Sequence, residues 1–98
     1  MSTGQASLRR LHAVVHGSVQ GVNFRAFTRR KALEQGLTGW VRNLHDGTVE
    51  TVAEGSEEAL KIFEEFLHTG SPSASVIRVT AEWSDATEEF TDFQVRYF

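Results

Sequence analysis

Gly17-Ser18-Val19-Gln20-Gly21-Val22-Asn23-Phe24-Arg25 is the stretch on which the fold depends. Before it, Leu11, Ala13 and Val15 alternate with His12, Val14 and His16, the period of a half-buried strand ending at Gly17. After it, Phe24 to Gln35 holds no glycine or proline and is rich in helix formers, with Gly36 as a C-terminal cap. The stretch therefore joins a strand to a helix. A helix leaves the N–H groups of its first turn unpaired, and with the positive end of the helix dipole they make a site for an anion. Arg25 adds a planar, permanently charged fork suited to phosphate oxygens.

Further along, Leu37 to Asn43 reads as a second strand and Thr48 to Glu54 as a third, joined through the hairpin-forming pair Asp46-Gly47. Ser56 is a good N-cap for a second helix, and Glu57 and Glu58 complement its dipole. Ala59, Leu60, Phe63, Phe66 and Leu67 recur at helical spacing, whereas the stripe of the first helix (Phe24, Phe27, Ala32) is less regular. Gly70 and Pro72 stop the second helix. Ile77, Val79, Ala81 and Trp83 alternate with Arg78, Thr80 and Glu82 as a fourth strand. A polar segment from Ser84 to Asp92 then leads to a short last strand at Phe93, Val95 and Tyr97. The order is β-α-β-β-α-β plus one strand, an α+β arrangement whose economical packing puts both helices on one face of an antiparallel sheet.

Composition narrows the function. The chain of 98 residues has room for one core, and 40% hydrophobic residues is ordinary for a globular domain. The absence of cysteine excludes disulfides and thiolate metal sites. His12 and His16, about 13 Å apart at strand rise, do not chelate one ion together; His45 falls in the hairpin turn and His68 near the end of the second helix. No metal site and no cofactor are expected. No apolar run approaches the roughly 18 residues that span a bilayer, so no membrane association is expected. Met1 to Ser7 is small and polar, read as a disordered tail preceding a single domain over 8–98, and the expected location is cytoplasmic. The net charge of −3 speaks against a nucleic-acid partner. Arg25, Arg29, Arg30 and Lys31 crowd one segment with Arg42 nearby, a focus that suits a small anionic ligand, although Arg29, Arg30 and Lys31 fit a solvated helix face equally well.

Together, Gly17 to Arg25, Gly36-Leu37-Thr38-Gly39-Trp40-Val41-Arg42-Asn43 and Asp46-Gly47-Thr48-Val49-Glu50 resemble the acylphosphatase family. Gly55, Gly70-Ser71-Pro72-Ser73-Ala74 and the strand ending at Tyr97 extend the resemblance over about residues 11 to 97. It implies a ferredoxin-like sandwich and a metal-independent hydrolase acting on acid anhydrides, splitting the carboxyl–phosphate bond of an acyl phosphate to a carboxylate and inorganic phosphate. It further implies that Arg25 binds the phosphate, that Asn43 positions the attacking water, and that the backbone of Gly17, Ser18, Val19, Gln20, Gly21, Val22, Asn23 and Phe24 cradles the phosphate oxygens. Thr48 supports the site with a hydroxyl. The acting species is expected to be a monomer. Leu44 stands where animal members tend to carry a hydroxyl residue, and Phe98 extends the chain one residue beyond the tyrosine near which members commonly end.

Each residue has a plainer explanation when taken singly: Gly17 and Gly21 as turn formers, Arg25 as a surface ion-pair partner, Asn43 as a turn-starting residue. Phe24 and Gly39 read as a core anchor and a close-packing position, and Val19 and Val22 as supports beneath the loop. Two rival functions follow from the same residues. A binding module would hold phosphate without turnover, but it has no need of Asn43. An RNA-recognition domain shares the β-α-β-β-α-β order, but this chain lacks that domain's aromatic signature and is acidic.

Overall fold

The computed structural model describes residues 8–97. The order is β1 (Leu8–Ser18), α1 (Phe24–Glu34), β2 (Thr38–Asn43), β3 (Val49–Ser56), α2 (Glu57–Leu67), β4 (Ser75–Asp85) and β5 (Phe93–Arg96). The strands form one sheet in the order β4-β1-β3-β2-β5. The ferredoxin-like α+β reading holds, with one adjustment: β5 pairs parallel to β2, so the sheet is mixed, while the other neighbours are antiparallel. The tail at 1–7 and Phe98 lie outside the described residues.

The helices cover one face. Leu11, Ala13 and Val15 of β1, Val41 of β2 and Val49 and Ala53 of β3 form one buried cluster with Phe24 and Ala32 of α1 and Leu60, Phe63 and Leu67 of α2. Burying each large side chain contributes roughly 1.5–3 kcal/mol. Phe63 meets Phe93 edge-on, with ring centroids 6.0 Å apart, which brings β5 into the same core. Helix α1 buries Thr28 where Phe27 was expected; Phe27 is only half-buried. A stripe with few apolar residues leaves the choice of buried face to tertiary packing. Gly39 is a close-packing position, since a Cβ there would run into the carbonyl of Val52 on β3.

The alternation expected for β4 breaks at one residue. His16 pairs with Arg78 and Gly17 with Val76, so Ile77 is an extra residue in the ladder. It is 81% exposed, and Val76 takes the core-facing place instead. A bulge of this kind reverses the facing of the strand beyond it. It occurs where β4 comes so close to Gly17 that a Cβ on that glycine would strike the Ser75 carbonyl.

The topology also decides where a site can be. Strands β1 and β2 are each antiparallel to β3, and β5 is parallel to β2, so β1, β2 and β5 all run the same way. Their C-terminal ends share one edge of the sheet. Among the described residues no helix is long and apolar enough to cross a membrane.

Candidate active site

At that shared edge lies a cleft of about 300 Å³, lined by Val19, Gly21, Asn23, Phe24, Arg25, Ala26, Asn43, Val95 and Tyr97. The elements that meet there are the β1–α1 loop, the first turn of α1, the last residue of β2 and the end of β5. Arg25 and Asn43, 18 positions apart in sequence, line the same cleft.

The loop is built around positive φ at Gly21 (75°) and Asn23 (63°), which bend the chain sharply into the helix. Val19, 1% exposed, and the half-buried Val22 anchor it to the core from beneath. Asn23 is the N-cap of α1, but its side chain makes no capping bond, and the first turn carries no acidic residue. The first helical hydrogen bond runs from Phe27 N–H to Asn23 O (3.1 Å), leaving Phe24, Arg25 and Ala26 N–H groups outside the ladder. Donors and dipole are thus left to something from outside the fold. Gly17 and Ser18 belong to the paired end of β1 and do not line the cleft.

Arg25 sits beneath Tyr97, its guanidinium carbon 4.7 Å from the ring centroid, and donates to the Arg96 carbonyl at 3.4 Å. Among the described residues no carboxylate lies within ion-pair range of Arg25. The rest of the basic cluster is committed elsewhere. Arg29 donates to the Phe93 carbonyl (3.0 Å), Arg30 and Lys31 approach Glu34, and Arg42 pairs with Glu50 at 2.7 Å on the uncovered face of the sheet. Burial alone would raise the Glu50 pKa, but hydrogen bonds and positive charge from His12 and Arg42 hold it below its ordinary value.

Asn43 is the last residue of β2, paired with Val49 where the hairpin opens. Its Oδ1 is buried and has no hydrogen-bond partner among the described residues. A buried amide oxygen without a donor costs roughly 1–3 kcal/mol, so its retention calls for a ligand or a water to complete it. Thr48 does not supply that donor: its hydroxyl and its N–H both go to Asp46 Oδ1, at 2.6 and 3.0 Å. Those two bonds, the hydroxyl first, lower the Asp46 pKa and brace the hairpin turn. Leu44 takes part in the turn through its backbone, its N–H donating to Thr48 O at 2.9 Å. Among the described residues there is no group of three or more His, Asp or Glu placed to hold a metal ion.

Residues 11–95 match the family described as Acylphosphatase. The chain belongs to the acylphosphatase family. Its members are hydrolases acting on acid anhydrides. The chain is 52% identical over 91 residues to the acylphosphatase of Marinobacter nauticus, covering 93% of this chain and 99% of that protein. Among solved structures, the acylphosphatase from Bacillus subtilis superposes with a TM-score of 0.88 at 39% identity, covering 91% of this chain and 99% of that one. The acylphosphatase from Coxiella burnetii superposes with a TM-score of 0.87 at 43% identity, covering 96% and 100%.

Three contributors to this acylphosphatase cleft escape sequence reasoning. Tyr97 stacks on Arg25, the Arg96 carbonyl accepts from it, and Val95 forms part of the wall. All belong to β5 or its end, and their place depends on the parallel pairing with β2. The one available signal is the alternation of Phe93, Val95 and Tyr97, which marks a strand but not its neighbour.

Proposed function

We propose that the protein hydrolyses acyl phosphates in this cleft without a metal ion. The unpaired N–H groups at the start of α1 and the Arg25 guanidinium take the three non-bridging phosphate oxygens. Water held by Asn43 Oδ1 attacks phosphorus in line with the acyl oxygen. As the new P–O bond forms, the bond from phosphorus to the acyl oxygen breaks and its electron pair leaves with the carboxylate. The water proton passes to a phosphate oxygen, so the products are a carboxylate and dihydrogen phosphate. A carboxylate leaves without protonation, and phosphoryl transfer through a loose transition state calls chiefly for positioning and charge stabilisation. Asparagine suits the task because it accepts from a water without itself titrating. All lining residues come from one chain, so a monomer is sufficient.

The observation that carries the reading is the pairing, in one cleft, of an uncapped helix start next to Arg25 with the partnerless buried oxygen of Asn43. The test is hydrolysis of benzoyl phosphate by the purified protein in the presence of chelator. Arg25→Gln and Asn43→Ala are each expected to lower kcat by about 10² to 10³, the scale of one preorganised electrostatic contact. Wild-type protein that binds phosphate yet does not turn over would leave a binding module; unchanged rates in both variants would remove these two residues from the mechanism.

A further inference from the structure

The phosphate loop and the Asn43 hairpin are separate pieces of chain, and one side chain bolts them together. Gln20 Nε2 donates to Leu44 O at 2.7 Å and to Thr48 O at 2.8 Å. Those carbonyls flank the hairpin turn that follows Asn43, and each already accepts a backbone N–H: Gly47 to Leu44 O at 3.2 Å, and Leu44 to Thr48 O at 2.9 Å. A carbonyl oxygen has two lone pairs and a primary amide has two N–H hydrogens, so the arrangement is fully satisfied on both sides. No other side chain in the stretch from Gly17 to Arg25 bonds to the β2–β3 hairpin among the described residues. Gln20 itself does not line the cleft.

We propose that Gln20 is a positioning residue that sets the distance between the phosphate-holding loop and the water-holding Asn43. The inference rests on the hydrolytic reading above. In-line attack requires the water oxygen and the phosphorus to be held within a narrow range, and a shift of about 1 Å can cost 10²-fold in rate. The loop fixes phosphorus and β2 fixes Asn43. The amide of Gln20 fixes one relative to the other. Because the two contacts are to backbone carbonyls, the clasp does not depend on which side chain stands at position 44.

The expected signature separates turnover from anion binding. Gln20→Leu keeps most of the volume and removes both donors; kcat for benzoyl phosphate is expected to fall at least about tenfold. Inhibition by inorganic phosphate needs only the loop and Arg25, and its constant is expected to stay within about threefold. In the Asn43→Ala background the same substitution should cost nothing further, because the group it positions is gone. Gln20→Glu places a carboxylate against two carbonyls near neutrality, and its activity relative to wild type should rise toward pH 5 as the carboxyl regains one O–H donor. The proposal is overturned if Gln20→Leu turns over within twofold of wild type, or if its loss is the same with and without Asn43. Should Gln20→Leu fail to fold, the pH profile of Gln20→Glu decides, and a flat ratio overturns the proposal. Failure of the hydrolytic reading looks different, since wild-type protein would then bind phosphate without turning over benzoyl phosphate.

Discussion

Two non-glycine residues among those described have positive φ, Asn23 at 63° and Glu88 at 60°. Both lie in loops beside backbone N–H groups outside the regular ladders, Thr87 and Glu88 in one and the first turn of α1 in the other, an arrangement suited to an anion. At Glu88 the chain supplies the anion itself. The carboxylate of Glu54, 4% exposed, accepts from the N–H groups of Thr87 (2.9 Å) and Glu88 (2.8 Å), from the Thr87 hydroxyl (3.0 Å) and from Arg10 (3.2 Å). At Asn23 the loop runs into a helix with no side-chain cap and no acidic residue in its first turn. The helix starts repeat the contrast, because α2 begins with the Ser56 hydroxyl accepting from Ala59 N–H at 3.2 Å and with Glu57 and Glu58. At the Glu88 loop and at the start of α2 the chain supplies the acceptor itself. At the cleft it does not, and a left-handed residue costing roughly 1–2 kcal/mol is kept without an internal return.

The contrast can be broken from either side. The largest effect on folding is expected from Glu54→Gln, which leaves the donors of the β4–β5 loop with a weaker, neutral acceptor. A loss of about 2 kcal/mol, or roughly 8–16 °C in Tm, should appear in thermal unfolding while kcat stays at the wild-type level. The same carboxylate governs part of the acid response. Burial alone would raise the Glu54 pKa, but the Thr87 and Glu88 N–H groups, the Thr87 hydroxyl and the Arg10 charge lower it below its ordinary 4.5. Its contribution is therefore complete above that value and is lost as pH falls below it through the folded pKa, where the unfolded chain binds the proton first. Urea titrations between pH 5 and pH 3, chosen to bracket that value, should show a shallower decline for Glu54→Gln than for wild type.

At the cleft, Asn23→Asp puts a charge where the substrate charge is expected. Phosphate inhibition should weaken at least about tenfold through like-charge repulsion, with stability unchanged or higher by a few tenths of a kcal/mol from the capped dipole. Tighter phosphate binding in this variant would contradict the assignment of the loop as the anion site. The smallest effect is expected from Ser56→Ala, about 1 kcal/mol in stability for a lost N-cap, with kcat and KM both unaltered. A catalytic defect in that variant would show that the two helix starts are not separate in function.

Much of this was legible in the chain. The order of elements, the facing of Leu11, Ala13 and Val15, the Ser56 cap, the turn at Asp46-Gly47 and the buried stripe of α2 all follow from signals confined to a few residues. Arg25 and Asn43 were legible as residue types within motifs. Ile77 was misjudged because a bulge depends on how closely β4 approaches Gly17, which alternation within β4 does not report. Thr28 was overlooked because a buried threonine has no apolar signature. The clasp made by Gln20 and the nest around Glu54 were out of reach because their partners lie 24 to 44 residues away.

The sequence by itself determined the local states: which segments alternate at period two, which at 3.6, and where glycine, proline and capping residues stop them. These depend on backbone geometry and on contacts within a turn or two. Tertiary structure alone decided that β5 runs parallel to β2, that Tyr97 lies over Arg25, and that Asn43 Oδ1 is buried without a donor while Glu54 has four. The reason is that satisfaction of a buried polar group is a property of the whole packed arrangement. The same amide or carboxylate is spent or left open according to which distant segment the register brings beside it.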